Sequence, residues 1–233
     1  FSDWNAVSGL SQQYGEGQVV SWFGKVADFP PVTLSFNHMV GRYGKYLYAM
    51  FDVQDDSVVW RASNALAVDQ SDHLLISVIA GDGELERFVI APYSEGWVNA
   101  FKLDDTPGGY RATDNELRIQ GRWQLTGEGY GIELRFPLSM TTGALAFALV
   151  DVDDPASREK RYAVGTANPN QADGMGTVLT PSPEIERILS GLKYADSRVW
   201  VVDNHMRVLA RAGSIQSASG FKVRRQEQQG YRW

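Results

Sequence analysis

The stretch KYLYAMFDVQDDSVVWRASNALAVDQSDHLLISVI, residues 45–79, decides the fold class. In its first third Leu47, Ala49 and Phe51 fall on one face, with Tyr46, Tyr48 and Met50 on the other. In its last third Leu74, Ile76 and Val78 alternate with His73, Leu75 and Ser77. A period of two over five or more residues marks a strand lying between an apolar core and a wetter surface. Between the two strands the chain carries Asp52, Asp55, Asp56, Trp60, Arg61, Asp69 and Asp72, its densest group of interactive side chains. The expectation is a strand pair whose connection gathers polar chemistry.

The same period continues outward. Residues 81–83 read as a turn, 84–91 and 97–103 as strands, and 104–115, with Pro107, Gly108 and Gly109, as a mobile loop. Then comes a hairpin: Leu117, Ile119, Gly121 and Trp123 alternate with polar residues, as do Tyr130, Ile132, Leu134 and Phe136. Residues 144–152 are almost wholly apolar, which predicts a central strand covered on both faces. Upstream, 19–23 and 32–36 read as short strands separated by Pro30 and Pro31, and Asp3 and Trp4 are either an anchor or a frayed end. Eight to ten short strands without a helix predict a mainly β fold, an antiparallel β-sandwich. Residues 156–180 are polar and glycine-rich. Beyond them Ser182 suits an N-cap, Pro183 the first helical position, and Ile185, Ile188, Leu189 and Leu192 fall at helical spacing. A second hairpin follows over 198–210, with its turn at 204–206. The chain thus divides into a sandwich (1–180), a small helix-plus-β-hairpin unit (181–215) and a polar tail or linker (216–233). The middle unit is too small to bury a core of its own.

Composition excludes several functions. A net charge of -6 argues against non-specific nucleic-acid binding, which needs a basic face. Without cysteine there is no disulfide and no thiolate metal site. No run of about 18 apolar residues is present. The chain opens at Phe1, and the expectation is a segment of a longer protein. No GxSxG, HExxH or Walker-type pattern occurs. Glu84, Glu86, Glu128 and Glu133 fall in turns or on an alternating charged face, so the segment reads as non-enzymatic.

The candidate ligand-binding residues are Trp60, Arg61, His73, Tyr93 and Trp97. Trp97, with Tyr93 just before it, is either an exposed stacking surface or core, sharing its strand face with Phe101. Trp60 beside Arg61 is either an aromatic wall with a bidentate donor or a capped core edge. His73 beside Asp72 is either a pH-sensitive donor or an ordinary residue of the wet face. Asp151, Asp153 and Asp154 are either ligands of a hard cation such as calcium or solvated strand-end carboxylates. Asp52, Asp55 and Asp56 have the same ambiguity, with turn chemistry sufficient for residues 55–57.

Asp3 and Trp4, YLYAMFDVQDD, SDHLLISV, GRWQLTGEGYGIELRFPLS and ALAFALVDVDD together resemble family-9-type carbohydrate-binding modules and the related DOMON-like sandwiches over residues 1–155. VLTPSPEIERIL and SRVWVVDNHMRVLARAGS extend the likeness, over residues 1–215, to the extracytoplasmic sensor region of proteobacterial dedicated-sortase-system histidine kinases. That resemblance implies a periplasmic sensor segment of an inner-membrane two-component kinase, membrane-tethered in the full-length protein and with no kinase activity of its own. The stimulus would be a glycan, a small molecule or a cell-surface protein, and a homodimer stays open. It also implies sugar stacking on aromatic faces, a structural calcium and, in some relatives of the fold, a b-type haem held by Met and His, here Met50 and His73. The alternative is a free-standing carbohydrate-binding or adhesion module without a signalling role.

Overall fold

Strand alternation becomes burial in the computed structural model, which describes residues 12–24, 31–63, 67–106, 109–177, 187–188, 199–202 and 208–212. Twelve strands form one antiparallel sheet: β1 (Gln12–Tyr14), β2 (Val19–Trp22), β3 (Ser35–Tyr43), β4 (Tyr46–Gln54), β5 (His73–Ile79), β6 (Leu85–Ile90), β7 (Gly96–Thr106), β8 (Gly109–Leu125), β9 (Gly129–Pro137), β10 (Ala144–Val150), β11 (Tyr162–Gly165) and β12 (Gly176–Thr177). Their spatial order is β1-β3-β4-β9-β8-β7-β6-β5-β10-β11-β2, and β12 also pairs with β10. The mainly β, antiparallel fold matches the expectation from sequence.

The sheet curls back on itself. In the ladder β4 and β10 are separated by β9, β8, β7, β6 and β5, yet Phe51 of β4 and Phe147 of β10 meet edge to face at 4.9 Å. At the extremes of the ladder, the Tyr162 hydroxyl of β11 accepts N–H groups from Thr33 (2.7 Å) and Leu34 (3.1 Å), which lead into β3. The main core lies inside this curl. It takes Leu47, Ala49, Phe51 and Val53 from β4, Leu74, Ile76 and Val78 from β5, and Leu145, Phe147 and Leu149 from β10. A second cluster covers the opposite face of the central strands with Val68, Leu75, Val89, Leu103, Ala148 and Val150.

Five readings from sequence change. β4 and β5 are not a pair: β4 bonds to β3 and β9, β5 to β6 and β10, and the connection between them crosses the core. The face of His73, Leu75 and Ser77 is not wet, because the second cluster covers it. Most of residues 104–115 is strand, belonging to the extended β7–β8 hairpin. Leu117 leaves the apolar face of its neighbours and is 63% exposed. The cause is a bulge in β8, where Ala100 pairs with Glu116 but Asn99 with Gln120. The polar stretch 156–180 also holds β11 and β12, too short to show a period.

The chain separates into two units, Phe1–Val178 and Leu179–Trp233. In the second, β13 (Val199–Val202) and β14 (Val208–Ala212) form an antiparallel hairpin with a bulge between Val201 and Val202. Arg187 and Ile188 are helical. The rest of the expected helix, the hairpin turn, the tail, and Asp3 and Trp4 lie outside the described residues.

Because Phe147 is 2% exposed and carries the contact that closes the curl, Phe147→Ala is expected to destabilise the sandwich by about 3–5 kcal/mol. Urea unfolding followed by tryptophan fluorescence measures it, and a loss below about 1 kcal/mol would mean that the two halves of the sheet do not close through this contact.

Candidate functional site

Antiparallel register gathers five connections at one end of the sheet. β4 ends there beside the start of β9, β8 ends beside the start of β7, β6 ends beside the start of β5, and β10 ends beside the start of β11. Residues 55–72, 91–95, 126–128, 151–161 and the approach to β3 therefore share one loop end. The candidates Trp60, Arg61, His73, Tyr93, Trp97, Asp151, Asp153 and Asp154 lie in or next to these segments.

Hydrogen bonds stitch the loops together. Asp72 accepts the Val59 N–H on Oδ2 (2.6 Å) and the Val152 N–H on Oδ1 (2.9 Å), tying two connections to the start of β5. The Ser57 hydroxyl donates to the Asp153 carbonyl (2.9 Å), and the Asp55 N–H to the Glu128 carbonyl (3.0 Å). Arg158, in the left-handed region at φ 55, donates from Nη1 to the carbonyls of Trp60 (2.9 Å) and Gln70 (3.0 Å). That conformation costs about 1 kcal/mol in a non-glycine residue, which two charge-assisted bonds offset. Lys160 pairs with Asp69 at 2.7 Å.

The stitching brings carboxylates together. Asp55, one residue past β4, Asp72, one before β5, and Asp151, one past β10, are all buried, and each offers an oxygen within 4.8 Å of the others. Asp55, Asp56 and Asp153 form a second such group toward the surface. Asp55 Oδ1 accepts the Ser57 N–H (2.9 Å), the turn chemistry foreseen, but Oδ2 is buried without a donor. Neither oxygen of Asp151 has a hydrogen bond of good geometry; the nearby Tyr162 hydroxyl favours its ionised form only in part. Asp153 is ion-paired with Arg161. Burial, reinforced by repulsion from Asp55 and Asp151 and opposed by the two amide bonds, pushes Asp72 up to about 9. Burial likewise raises Asp151 to about 6, and raises Asp55. The hydroxyl of fully buried Tyr130 is unpartnered, and its pKa is raised, chiefly by burial and then by these carboxylates.

This donor set fits a hard cation. Oxygens ringing one calcium at about 2.3–2.6 Å can be no more than about 5.2 Å apart, and the three buried carboxylates meet that limit. An open cleft of about 640 Å³ is bordered by Gln54, Asp55, Asp56, Leu125, Glu128 and Gly129, so that Asp55 and Asp56 of these groups reach its wall. Gly129 is required at its wall: at φ 148, a Cβ there would lie 2.4 Å from the Val53 carbonyl. Of the expected cation ligands, Asp55, Asp56, Asp151 and Asp153 belong to these groups, and Asp52, on the exposed side of β4, lies outside them. Asp154 does not belong either; its oxygens accept the N–H groups of Ala156 (2.8 Å) and Ser157 (3.3 Å) in an exposed turn. Asp72, read from sequence only as the neighbour of His73, joins them. Its signal in the sequence was position, one residue outside a strand.

The aromatic candidates separate by face. Trp97 is 75% exposed and Tyr93 48% exposed. Val98 and Ala100 of β7 point into the main core, so Trp97, Asn99 and Phe101 share the outer face. The Arg61 guanidinium lies 3.9 Å above the Tyr93 ring and 5.2 Å from that of Phe101. Trp60 instead packs against the core, edge to face with Trp123 at 6.2 Å. His73 is fully buried, with Nδ1 2.6 Å from the Ser71 carbonyl, and burial lowers it to about 4. It is neutral at physiological pH and does not reach the surface. Met50 alternates with the core-facing Ala49 and Phe51, and His73 lies on the face of β5 opposite Leu74 and Ile76, so both point away from the core that separates their strands and do not form a haem ligand pair. Tyr93 and Arg61 thus come together, with Trp97 farther along the outer face of β7 that Phe101 shares; Trp60 packs on the core and His73 is buried.

No family model matches the chain, and no curated protein sequence matches it. Among solved structures it is similar to a family 9 carbohydrate binding module from Caldicellulosiruptor kristjanssonii in complex with glucose, at 15% identity and TM-score 0.47 over 76% of this chain and 82% of that one. It is similar also to a family 9 module from the same organism in complex with cellotriose, at 17% identity and TM-score 0.41 over 69% and 78%.

Proposed function

We propose that this chain is a non-catalytic, glycan-binding sensor module: the periplasmic segment of a two-component histidine kinase, with its loop end tied by a structural calcium. The observation that carries the binding reading is Trp97, three-quarters exposed on the outer face of β7. A tryptophan left in water on a rigid strand is costly in a fold that buries Trp123 completely, and its flat face suits a sugar ring. Tyr93, braced by Arg61, extends that surface.

The calcium reading rests on the buried carboxylates. Asp55, Asp72 and Asp151 would hold the ion, with Asp56 and Asp153 forming the second group around Asp55. Bound there, calcium neutralises charge that the interior otherwise has to protonate. The signalling reading rests on the sequence likeness of residues 1–215 and on the β13–β14 hairpin, which belongs to a unit separate from the sandwich. Signalling requires that a glycan, or a cell-surface protein bearing one, bind two states of the membrane-proximal unit unequally.

Thermal-shift screening of glycans on the sandwich is expected to give a rise in Tm that Trp97→Ala removes without lowering the Tm of the free protein. A ligand whose shift survives that substitution binds elsewhere. The gene should also encode a transmembrane helix and a kinase core beyond Trp233; a glycosidase domain there would favour a carbohydrate-binding or adhesion module without a signalling role.

The carboxylates add a pH test. With pKa values raised in the folded state, the fold holds more protons than the unfolded chain, whose Asp titrates near 4, so stability falls as pH rises. The loss runs to about 6 for Asp151 and on to about 9 for Asp72. In chelator, Tm should therefore decline between about pH 5 and pH 9. Calcium should raise Tm most at the alkaline end, and Asp151→Asn should blunt both effects. A Tm insensitive to calcium across this range removes the cation from the account.

A further inference from the structure

Arg61 differs from the other part-buried cations of the loop end. Lys160 meets Asp69, Arg161 meets Asp153, and Arg158 donates to two carbonyls. Arg61 is 7% exposed, its Nε is buried without an acceptor, and no carboxylate among the described residues pairs with it. Two aromatic rings hold its guanidinium, at 3.9 and 5.2 Å. Its backbone is fixed as well, since the Arg61 N–H donates to the Pro92 carbonyl at 3.0 Å. Cation–π contact offsets only part of what burying an uncompensated charge costs. The fork is thus pre-positioned and short of an acceptor.

What surrounds it narrows the acceptor. Along β7, Phe101 beneath Arg61 and the exposed Trp97 share one face, roughly 13 Å apart. That leaves a platform with an aromatic plane at one end and a planar five-donor fork at the other. A carboxylate matches the fork with two parallel bonds and a single charge. A dianion would be opposed by the carboxylates gathered at the same end and by the net charge of -6. Neutral hydroxyls would leave the guanidinium uncompensated.

We propose that the Trp97–Tyr93–Arg61 surface is selective for acidic glycans, taking one ring of an oligosaccharide on the Trp97 face and, farther along the same oligosaccharide, the carboxylate of a uronic or sialic acid residue on the Arg61 fork. This rests on the glycan-binding reading above and names the ligand class for the same surface.

The test is a glycan array carrying uronate- and sialate-bearing oligosaccharides beside counterparts in which the carboxyl has been chemically reduced to the alcohol, with hits followed by calorimetry at two salt concentrations. The protein is expected to bind acidic members roughly ten- to a hundredfold tighter than their reduced partners, with affinity falling as salt rises. Arg61→Lys, which keeps the charge but not the fork, should level that preference, and Trp97→Ala should weaken acidic and neutral members alike. Because reduction is done on the glycan, the central comparison needs no altered protein, so instability of an Arg61 variant does not cloud it. Equal binding of acidic and reduced members overturns the acidic selectivity and leaves glycan binding standing. Retention of no glycan at all overturns both.

Discussion

Asp72 is the interaction on which the loop end depends. Standing one residue before β5, it takes an amide from the β4–β5 connection on one oxygen and an amide from the β10–β11 connection on the other. The β5–β10 pairing sets His73 opposite Val150 and so brings the β10–β11 connection beside Asp72, while the other segment comes from β4, which does not neighbour β10 in the ladder. A carboxylate can join the two because it presents acceptors in two directions and is strongest where solvent is excluded. The same exclusion makes it expensive. Burial opposes its charge, and joining the two loops draws in Asp55 and Asp151, whose charges oppose it further. A cation, or protons, must balance what the staple assembles.

The curl of the sheet explains why the chemistry collects at one end. A single antiparallel ladder that closes on itself turns alternate connections toward the same rim, and here the long connections share it, while tight turns such as residues 80–84 and the Arg42–Tyr46 turn lie opposite. The aromatic contacts that close the curl, Phe51 on Phe147 and the Tyr162 hydroxyl on the approach to β3, therefore also set the spacing of the loops. Packing precision in the core becomes positional precision at the site.

Local periodicity was legible in the sequence; partnership was not. The alternations of β4, β8 and β9 and the apolar run of β10 identify those strands, because each needs only its own residues to show which face is buried. The pairing of β5 with β6 and β10, and not with β4, depends on a crossing of the core by residues 55–72 that no local pattern encodes. His73 illustrates the consequence: its phase was read correctly, but its face is dry because Val68, Val89 and Ala148 come from elsewhere to cover it. Trp97 shows the reverse. It shares a face with Phe101 as the sequence indicated, yet only Phe101 reaches the second cluster. Likewise Asp55 and Asp72, seventeen residues apart in sequence, meet only because their strands end at the same rim.

One connection carries both halves of the site. Residues 55–72 begin with a carboxylate of the cluster, present Arg61 to the aromatic platform, and end with the staple. Between Asp55 and Asp72 the segment is held by the Val59 and Arg61 backbone bonds and by Arg158 from the neighbouring connection. Arg61 thus inherits its position from groups whose charge state belongs to the carboxylate cluster. Neutralising the cluster, by whatever means, relieves the repulsion among Asp55, Asp72 and Asp151 and lets the staple stay closed. The guanidinium then keeps its place against Tyr93, because the loop beneath it has no reason to open. Charge balance in the interior and shape at the surface are in this way one constraint, expressed at two points of a single loop.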